Sequence, residues 1–231
     1  AGEHGWGIPQ LAAAAVAAGL LIGFVAVERR VPEPMLPPGL FAGRGFTVAV
    51  TVGFCLNVSF FGQLFVLSLF FQRTLGFDAW DAGLALAPQA CSAVVAAPLG
   101  GRAAARFGAF PAMLTGLVLG AAGFAGTAFI GPGTAALIVS GVTFAAGFGM
   151  AFAMPAATAA AVSAVPDELA GTAGGVVNAA RQTGSVVGVA VLGGVVAADA
   201  SPSGFRVALL LAAGIFIAAA ALVAAAARDP A

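Results

Sequence analysis

Charge is scarce in this chain of 231 residues, of which only 8% are charged while 61% are hydrophobic. Soluble domains carry about 25% charged residues, so this chain lacks the polar surface that a domain needs to face water on all sides. The formal net charge is +0, and nothing in that balance indicates nucleic acid as a partner. The composition excludes a soluble protein and indicates a surface in contact with the lipid bilayer.

Lysine is missing altogether, so all nine basic residues are arginines. Without lysine the chain can neither form a Schiff base nor complete a phosphate-binding loop. The glycines of Gly171–Gly175 resemble such a loop only superficially, because no strand precedes them and no lysine follows. We therefore predict no catalytic residues, and the chain is not expected to be an enzyme.

Histidine and cysteine are rare as well. The single histidine, His4, has no Cys or second His nearby, so no metal site is predicted and no cofactor is expected. Cys55 and Cys91 lie in apolar runs and are interpreted as small buried hydrophobic residues. The chain begins with neither a Met nor a signal peptide, and we expect it to be part of a longer protein.

Long apolar runs make up most of the sequence. A helix needs about 20 mainly apolar residues to span a bilayer. Seven segments meet that length: Ile8–Val27, Phe46–Phe71, Ala82–Leu99, Pro111–Ile130, Thr134–Ala153, Thr172–Ala197 and Phe205–Ala227. They are too long for barrel strands and do not alternate, so the predicted fold is all-α: a polytopic bundle of seven transmembrane helices in the cell membrane.

The arginines predict the orientation of this bundle. Those that follow the first and third spans, or lie in the C-terminal tail, are Arg29, Arg30, Arg44, Arg102, Arg106 and Arg228. The opposite side holds only Arg73 and Arg206. Basic residues favour the cytoplasmic side, so the N-terminus is expected outside and the C-terminus inside.

The sixth span carries the most informative polar pattern. Asn178, Arg181, Gln182 and Ser185 are spaced i, i+3, i+4 and i+7, which places them in one stripe along a helix. An arginine within a span costs about 2.5–3.5 kcal/mol on insertion scales. The stripe is therefore a candidate substrate path, and the alternative is that Arg181 snorkels to the lipid headgroups.

Three further amides are candidates for the same path. Asn57 and Gln63 occur in the second span, where they are expected to face inward on different sides of the helix. Gln89 follows Pro88 in the middle of the third span. The phenylalanines of the second span are mostly interpreted as lipid-facing, and no predicted span contains Asp or Glu.

Glycine pairs spaced by four residues occur in three spans: Gly19 with Gly23, Gly116 with Gly120, and Gly184 with Gly188. Small residues at this spacing allow two helices to approach closely in lipid. We interpret these pairs as packing sites.

The residues after the third span resemble a family motif. This stretch resembles the loop signature Gly-x-x-x-Asp-Arg-x-Gly-x-Arg of the major facilitator superfamily, through Gly101, Arg102, Arg106 and Gly108. The resemblance implies that these residues form a gating loop. Ala105 stands where that signature has Asp, so this position has no carboxylate for a charge relay.

Other stretches are similar to the fourteen-span drug:proton antiporter branch of that superfamily. They are Glu28-Arg29-Arg30 with Pro34 and Arg44, Gln72 through Gly83 into Pro88, Val165-Pro166 through Gly171, and Asn178 through Ala190. The resemblance implies three regions: 1–27 as an external tail and central transmembrane helix, 28–45 as a cytoplasmic Pro-rich linker, and 46–231 as the C-terminal six-helix bundle.

The resemblance also implies a function. A carrier of this branch would export drugs or other small hydrophobic or cationic compounds in exchange for protons, and the missing N-terminal half would supply the proton-binding carboxylates. The alternatives are a major facilitator carrier for another solute, and a truncated membrane protein that packs against a partner without transporting.

Overall fold

The computed structural model describes residues 38–228 and scattered positions between 16 and 31. The chain divides into two compact units, Ala1–Leu40 and Phe41–Ala231. The first predicted span, Ile8–Val27, falls largely outside the described residues. Within it, the described positions, such as Val16 and Leu20, are helical.

Six long helices make up the second unit: α1 (Arg44–Arg73), α2 (Ala79–Phe107), α3 (Ala109–Thr127), α4 (Ala136–Ser163), α5 (Ala170–Ala198) and α6 (Pro202–Arg228). Each is long and apolar enough to cross a membrane. Short 3₁₀ turns at Pro38–Ala42 and Asp167–Leu169 precede α1 and α5. The all-helical prediction, and the existence of the second to seventh spans, are confirmed.

Two helices run further than the hydropathy predicted. Helix α2 continues past Leu99 to Phe107, and α4 continues past Ala153 to Ser163, although both contain proline. Alanine-rich sequence favours helix at these ends, and neighbouring helices compensate for the backbone bonds that a proline removes. Helix α2 also begins at Ala79, so that Asp81, which the prediction left outside the spans, lies in its first turn.

The six helices pack in two layers. Helix α1 packs mainly against α5 and α6, and α4 packs mainly against α2 and α3, while α1 and α4 also contact each other. Helices α5, α1, α4 and α2 thus form the first layer, in that order. Helices α3 and α6 pack together in the second layer. Helix α1 is the most enclosed, since 56% of its 18-residue apolar stretch is buried. In α2 and in α5 only 22% of the corresponding stretch is buried. The two outer helices of the first layer, α2 and α5, are thus the least covered.

Glycines set the distance between the packed helices. A Cβ added at Gly184 would lie 2.5 Å from the Phe54 carbonyl oxygen, and one at Gly188 would collide with the Val58 carbonyl oxygen. Gly116 meets α4 in the same way, since an added Cβ there would lie 2.7 Å from the Gly149 carbonyl oxygen. The packing role predicted for the pairs in α3 and α5 is confirmed.

The third pair, Gly19 with Gly23, belongs to the first predicted span and lies in the first unit. A Cβ at Gly19 or Gly23 would meet none of the described residues within 4 Å. Most of this unit lies outside the described residues, so a packing role for this pair stays a prediction. Close approach needs a facing backbone as well as a small residue, and the sequence spacing alone does not provide one.

Polar contacts close the end of the bundle where α3 and α6 meet. The Arg206 Nε donates to the Ala128 carbonyl oxygen at 3.2 Å, and its guanidinium lies 5.6 Å from the Phe129 ring centroid. This places a positive charge at the carbonyl end of α3, where the helix dipole favours it. Just before α6, hydrogen bonds from the Ser201 side chain and backbone lower the pKa of Asp199.

Candidate functional site

The polar stripe of α5 lies along the edge of its contact with α1. The buried residues of α5 include Val177, Gly184 and Gly188, which face α1. Arg181 and Ser185 are half-buried beside them, whereas Asn178 and Gln182 are exposed. The stripe therefore runs from a helix contact out to an uncovered surface.

Asn57 joins this stripe from the neighbouring helix. It is only 2% exposed, and its Nδ2 donates to the Gly53 carbonyl oxygen at 2.9 Å. The Ser185 hydroxyl lies 3.5 Å from Asn57 Oδ1, at the limit of a hydrogen bond, and also donates to the Arg181 carbonyl oxygen at 3.0 Å. The structure thus brings Asn57, Ser185 and Arg181 together.

Gly53 makes room for the arginine. A Cβ at Gly53 would lie 3.5 Å from the Arg181 Cγ, so the aliphatic part of this side chain packs on a bare stretch of α1. The Arg181 Nε is buried and has no hydrogen-bond partner in the described part of the chain. A buried N–H without a partner costs about 1–3 kcal/mol, so Arg181 has an unused donor at the edge of the bundle.

A second buried polar group connects α1 with α2. Gln89 Nε2 donates to Gln63 Oε1 at 2.9 Å, and the two side chains are 1% and 0% exposed. Gln63 Nε2, Gln89 Oε1 and the Ser59 hydroxyl are buried without a partner within the described residues. Asn57 and Gln63 both face inward on different sides of α1, as predicted, but Gln63 and Gln89 are enclosed and do not reach the stripe.

The gating motif lies in a helix and not in a loop. Gly101, Arg102 and Arg106 belong to the last two turns of α2, and the connection to α3 is Gly108 alone. Gly108 has φ +93°, a conformation that glycine adopts freely and that ends the helix. Arg102 and Arg106 are exposed, with Arg106 5.3 Å from the Phe107 ring centroid. The predicted loop location is wrong, because the alanines before Gly108 favour helix.

The aromatic residues of α1 divide between its two sides. Phe70 and Phe71 are buried, while Phe61 and Phe65 are exposed. Cys91 is exposed and Cys55 half-buried, which corrects the expectation that both are buried. Cys91 lies on α2, one of the two least covered helices, and this exposure is set by the layer arrangement.

Sequence reasoning missed the partners of these residues. Neither the contact of Asn57 with Ser185 nor the bond between Gln63 and Gln89 follows from spacing within one helix. A row of neighbouring rings on α4, Phe144, Phe148 and Phe152, was also missed, although its i, i+4, i+8 spacing was visible in the sequence.

Titratable side chains are sparse inside the helices. Apart from Asp81 in the first turn of α2, the six described helices contain no Asp or Glu. No group of three potential metal ligands occurs within the part of the chain that the structure describes. The other arginines of the six described helices lie within the first or last two turns of their helices, so the polar side chains nearer the middle are amides, hydroxyls and Arg181.

These features define an all-helical, multi-pass membrane protein. A family model described as Major Facilitator Superfamily matches residues 2–189 and again residues 49–231. The chain belongs to the Major Facilitator Superfamily.

Curated relatives give this membership more detail. The chain is 38% identical over 192 residues to the Methylenomycin A resistance protein of Streptomyces coelicolor, covering 83% of this chain and 40% of that protein. It is 33% identical over 193 residues to the Tetracenomycin C resistance and export protein of Streptomyces glaucescens, covering 82% and 35%. The chain thus spans about two fifths or less of the length of these relatives.

A solved structure supports the fold. The crystal structure of a peptide transporter in complex with alafosfalin matches with a TM-score of 0.66, covering 80% of this chain and 39% of that one. The sequence identity is 20%, so this match supports the arrangement of helices only.

Proposed function

We propose that this chain forms one bundle of a secondary active carrier that exports drugs or other hydrophobic compounds in exchange for protons. Relatives at 38% and 33% identity bear names of antibiotic resistance and export. In such a carrier, two bundles rock around a site near the middle of the membrane. A second, N-terminal bundle of the carrier would complete that site and bind the protons.

The observation that carries this proposal is the partly uncovered α5. Its polar stripe combines an unused, buried Arg181 Nε with exposed Asn178 and Gln182. Polar groups that face lipid are costly, whereas the same groups are stabilised when a second bundle or a solute covers them. We assign Asn57, Arg181 and Ser185 to the substrate path on this basis.

The remaining candidates have supporting roles in the proposal. Gln63 and Gln89 fix α1 against α2, so they would reach a substrate only if these helices separate. Arg102 and Arg106 lie at the helix end that the arginine distribution assigns to the cytoplasm, where they would act in gating. The fourteen-span arrangement, with 28–45 as a linker, stays a prediction.

There are two alternatives to drug export. A major facilitator carrier for another solute would keep the same bundle with a different substrate, and a substrate panel separates it from a drug exporter. A truncated, non-transporting protein would use the uncovered helices only to bind a partner. The Arg181 donor favours transport over simple packing, because packing alone does not require a charge.

Export by the whole carrier tests the proposal. Cells that express the carrier should accumulate less of a fluorescent cationic dye than control cells, and a protonophore should remove the difference, because the proton gradient supplies the energy. Equal accumulation across a panel of cationic and neutral drugs would contradict drug export.

The predicted orientation has its own test. We expect a cysteine at Gly43, placed in a background without Cys55 and Cys91, to react with an impermeant maleimide only after the cells are opened. The expectation follows from the arginines that flank this position. A cysteine at Gly133, in the turn between α3 and α4, serves as the control and should react in intact cells. Labelling of the Gly43 site alone in intact cells would reverse the orientation.

A further inference from the structure

A cavity lies between the N-terminal ends of α2 and α4, away from the polar stripe. Its volume is about 330 Å³, and it opens to the surface. Its lining residues are Phe77, Asp81, Leu84, Ala85, Thr134, Ala136, Val139 and Ser140. Cavities of roughly 300–1,000 Å³ with an apolar wall and a few polar groups are typical of small-molecule sites.

Among the described residues that line the cavity, Asp81 is the charged one. This side chain has no hydrogen bond or ion pair among the described residues. The backbone N–H of Asp81 donates to Asp78 Oδ1 at 2.8 Å. Asp78 already caps α2, so the Asp81 carboxylate is not needed as a cap. Asp81 is therefore a negative charge at an apolar wall, with no cationic partner in the part of the chain that the structure describes.

The rest of the lining fits a cation that also has an apolar part. Phe77 is held in place by stacking on Phe71, with ring centroids 5.6 Å apart. Aromatic rings attract organic cations, and Leu84 and Val139 provide apolar contact. Thr134 and Ser140 add two hydroxyls. A purely apolar ligand would leave the carboxylate uncompensated, and an anion would be repelled.

We propose that this cavity binds small amphipathic organic cations through Asp81. The site is separate from the stripe on α5, and binding here stands whether or not the carrier exports drugs. In the predicted orientation, this end of the bundle faces the outside.

Titration of the full chain in lipid nanodiscs tests the site. The probe is phenyltrimethylammonium, and benzenesulfonate, similar in size but negative, is its counterpart. Calorimetry should detect the cation and not the anion. In a Trp6→Phe background, Trp80 is the remaining tryptophan, and it is next to Asp81 in the sequence. Its fluorescence emission should change over the same range of cation concentration as the calorimetric signal, which would place the bound cation near Asp81.

Matched variants separate charge from shape. Asp81→Asn should weaken cation binding about fivefold, as expected for one exposed charge contact, and Asp81→Glu should retain it. Ala136→Phe, which fills the cavity from an exposed position, should also weaken binding, while Asp167→Asn at the other end of the bundle should not. Equal affinity of Asp81→Asn and the parent chain, equal binding of the anion, or no binding of the cation would each overturn the site.

Discussion

Replacing Gly188 with valine should unfold the bundle, or destabilise it by about 3 kcal/mol, whereas the same replacement at Gly194 in the same helix should be tolerated. A Cβ at Gly188 collides with the Val58 carbonyl oxygen, which belongs to the backbone of α1 and cannot rotate away. At Gly194 a Cβ meets nothing within 4 Å. Both variants replace glycine with valine within α5 and so change helix propensity equally. The difference between their stabilities therefore isolates the contact between α1 and α5.

Thermal unfolding in detergent, followed by circular dichroism, measures this difference. The Gly188→Val protein should show a lower Tm or a lower folded yield than Gly194→Val. Equal Tm values would mean that α1 and α5 do not pack at this distance. In that case the contact of Asn57 with Ser185, and the placement of Arg181 against Gly53, would also have to be abandoned.

Replacing Arg181 with alanine should reduce export by the whole carrier about tenfold or more, with membrane abundance nearly unchanged. The Nε of Arg181 is buried without a partner in the described residues. We expect a group on the second bundle, or the substrate, to accept a hydrogen bond from it during the transport cycle. Removal of the side chain would then affect transport more than folding.

The lysine variant distinguishes the two roles considered for Arg181. If the side chain only snorkels, Arg181→Lys should export normally, because both side chains reach the headgroups. If the planar guanidinium makes a two-point contact across the bundles, lysine should fail. Arg73→Ala is the control, since Arg73 is exposed at the end of α1. Near-normal export by Arg181→Ala would mean that the stripe serves packing only, and would contradict a substrate path along α5.

Hydropathy predicted the fold well because bilayer thickness fixes the length of an apolar run. It predicted the helix ends less well. Leu99 and Ala153 mark the ends of apolar runs, but the helices continue to Phe107 and Ser163 through residues that favour helix. Backbone conformation, and above all the positive φ of Gly108, decides where α2 stops.

The candidate site could be predicted only within single helices. The periodicity of α5 places Asn178, Arg181, Gln182 and Ser185 on one side without any tertiary information. The partners of Asn57 and Gln63 depend on how far α5 and α2 slide along α1, which close glycine contacts determine. The enclosure of Gln89, and the exposure of Cys91 on the same helix, likewise follow from the layers and not from composition.

Proton-driven flux in liposomes tests the central claim, that this chain is one bundle of a two-bundle carrier. With a proton gradient imposed, liposomes that contain this chain alone should take up no more cationic dye than empty liposomes. Liposomes that contain the chain joined to the first bundle should take up dye until the gradient is collapsed. Gradient-driven uptake by this chain alone would contradict the account, because a single bundle would then suffice for transport.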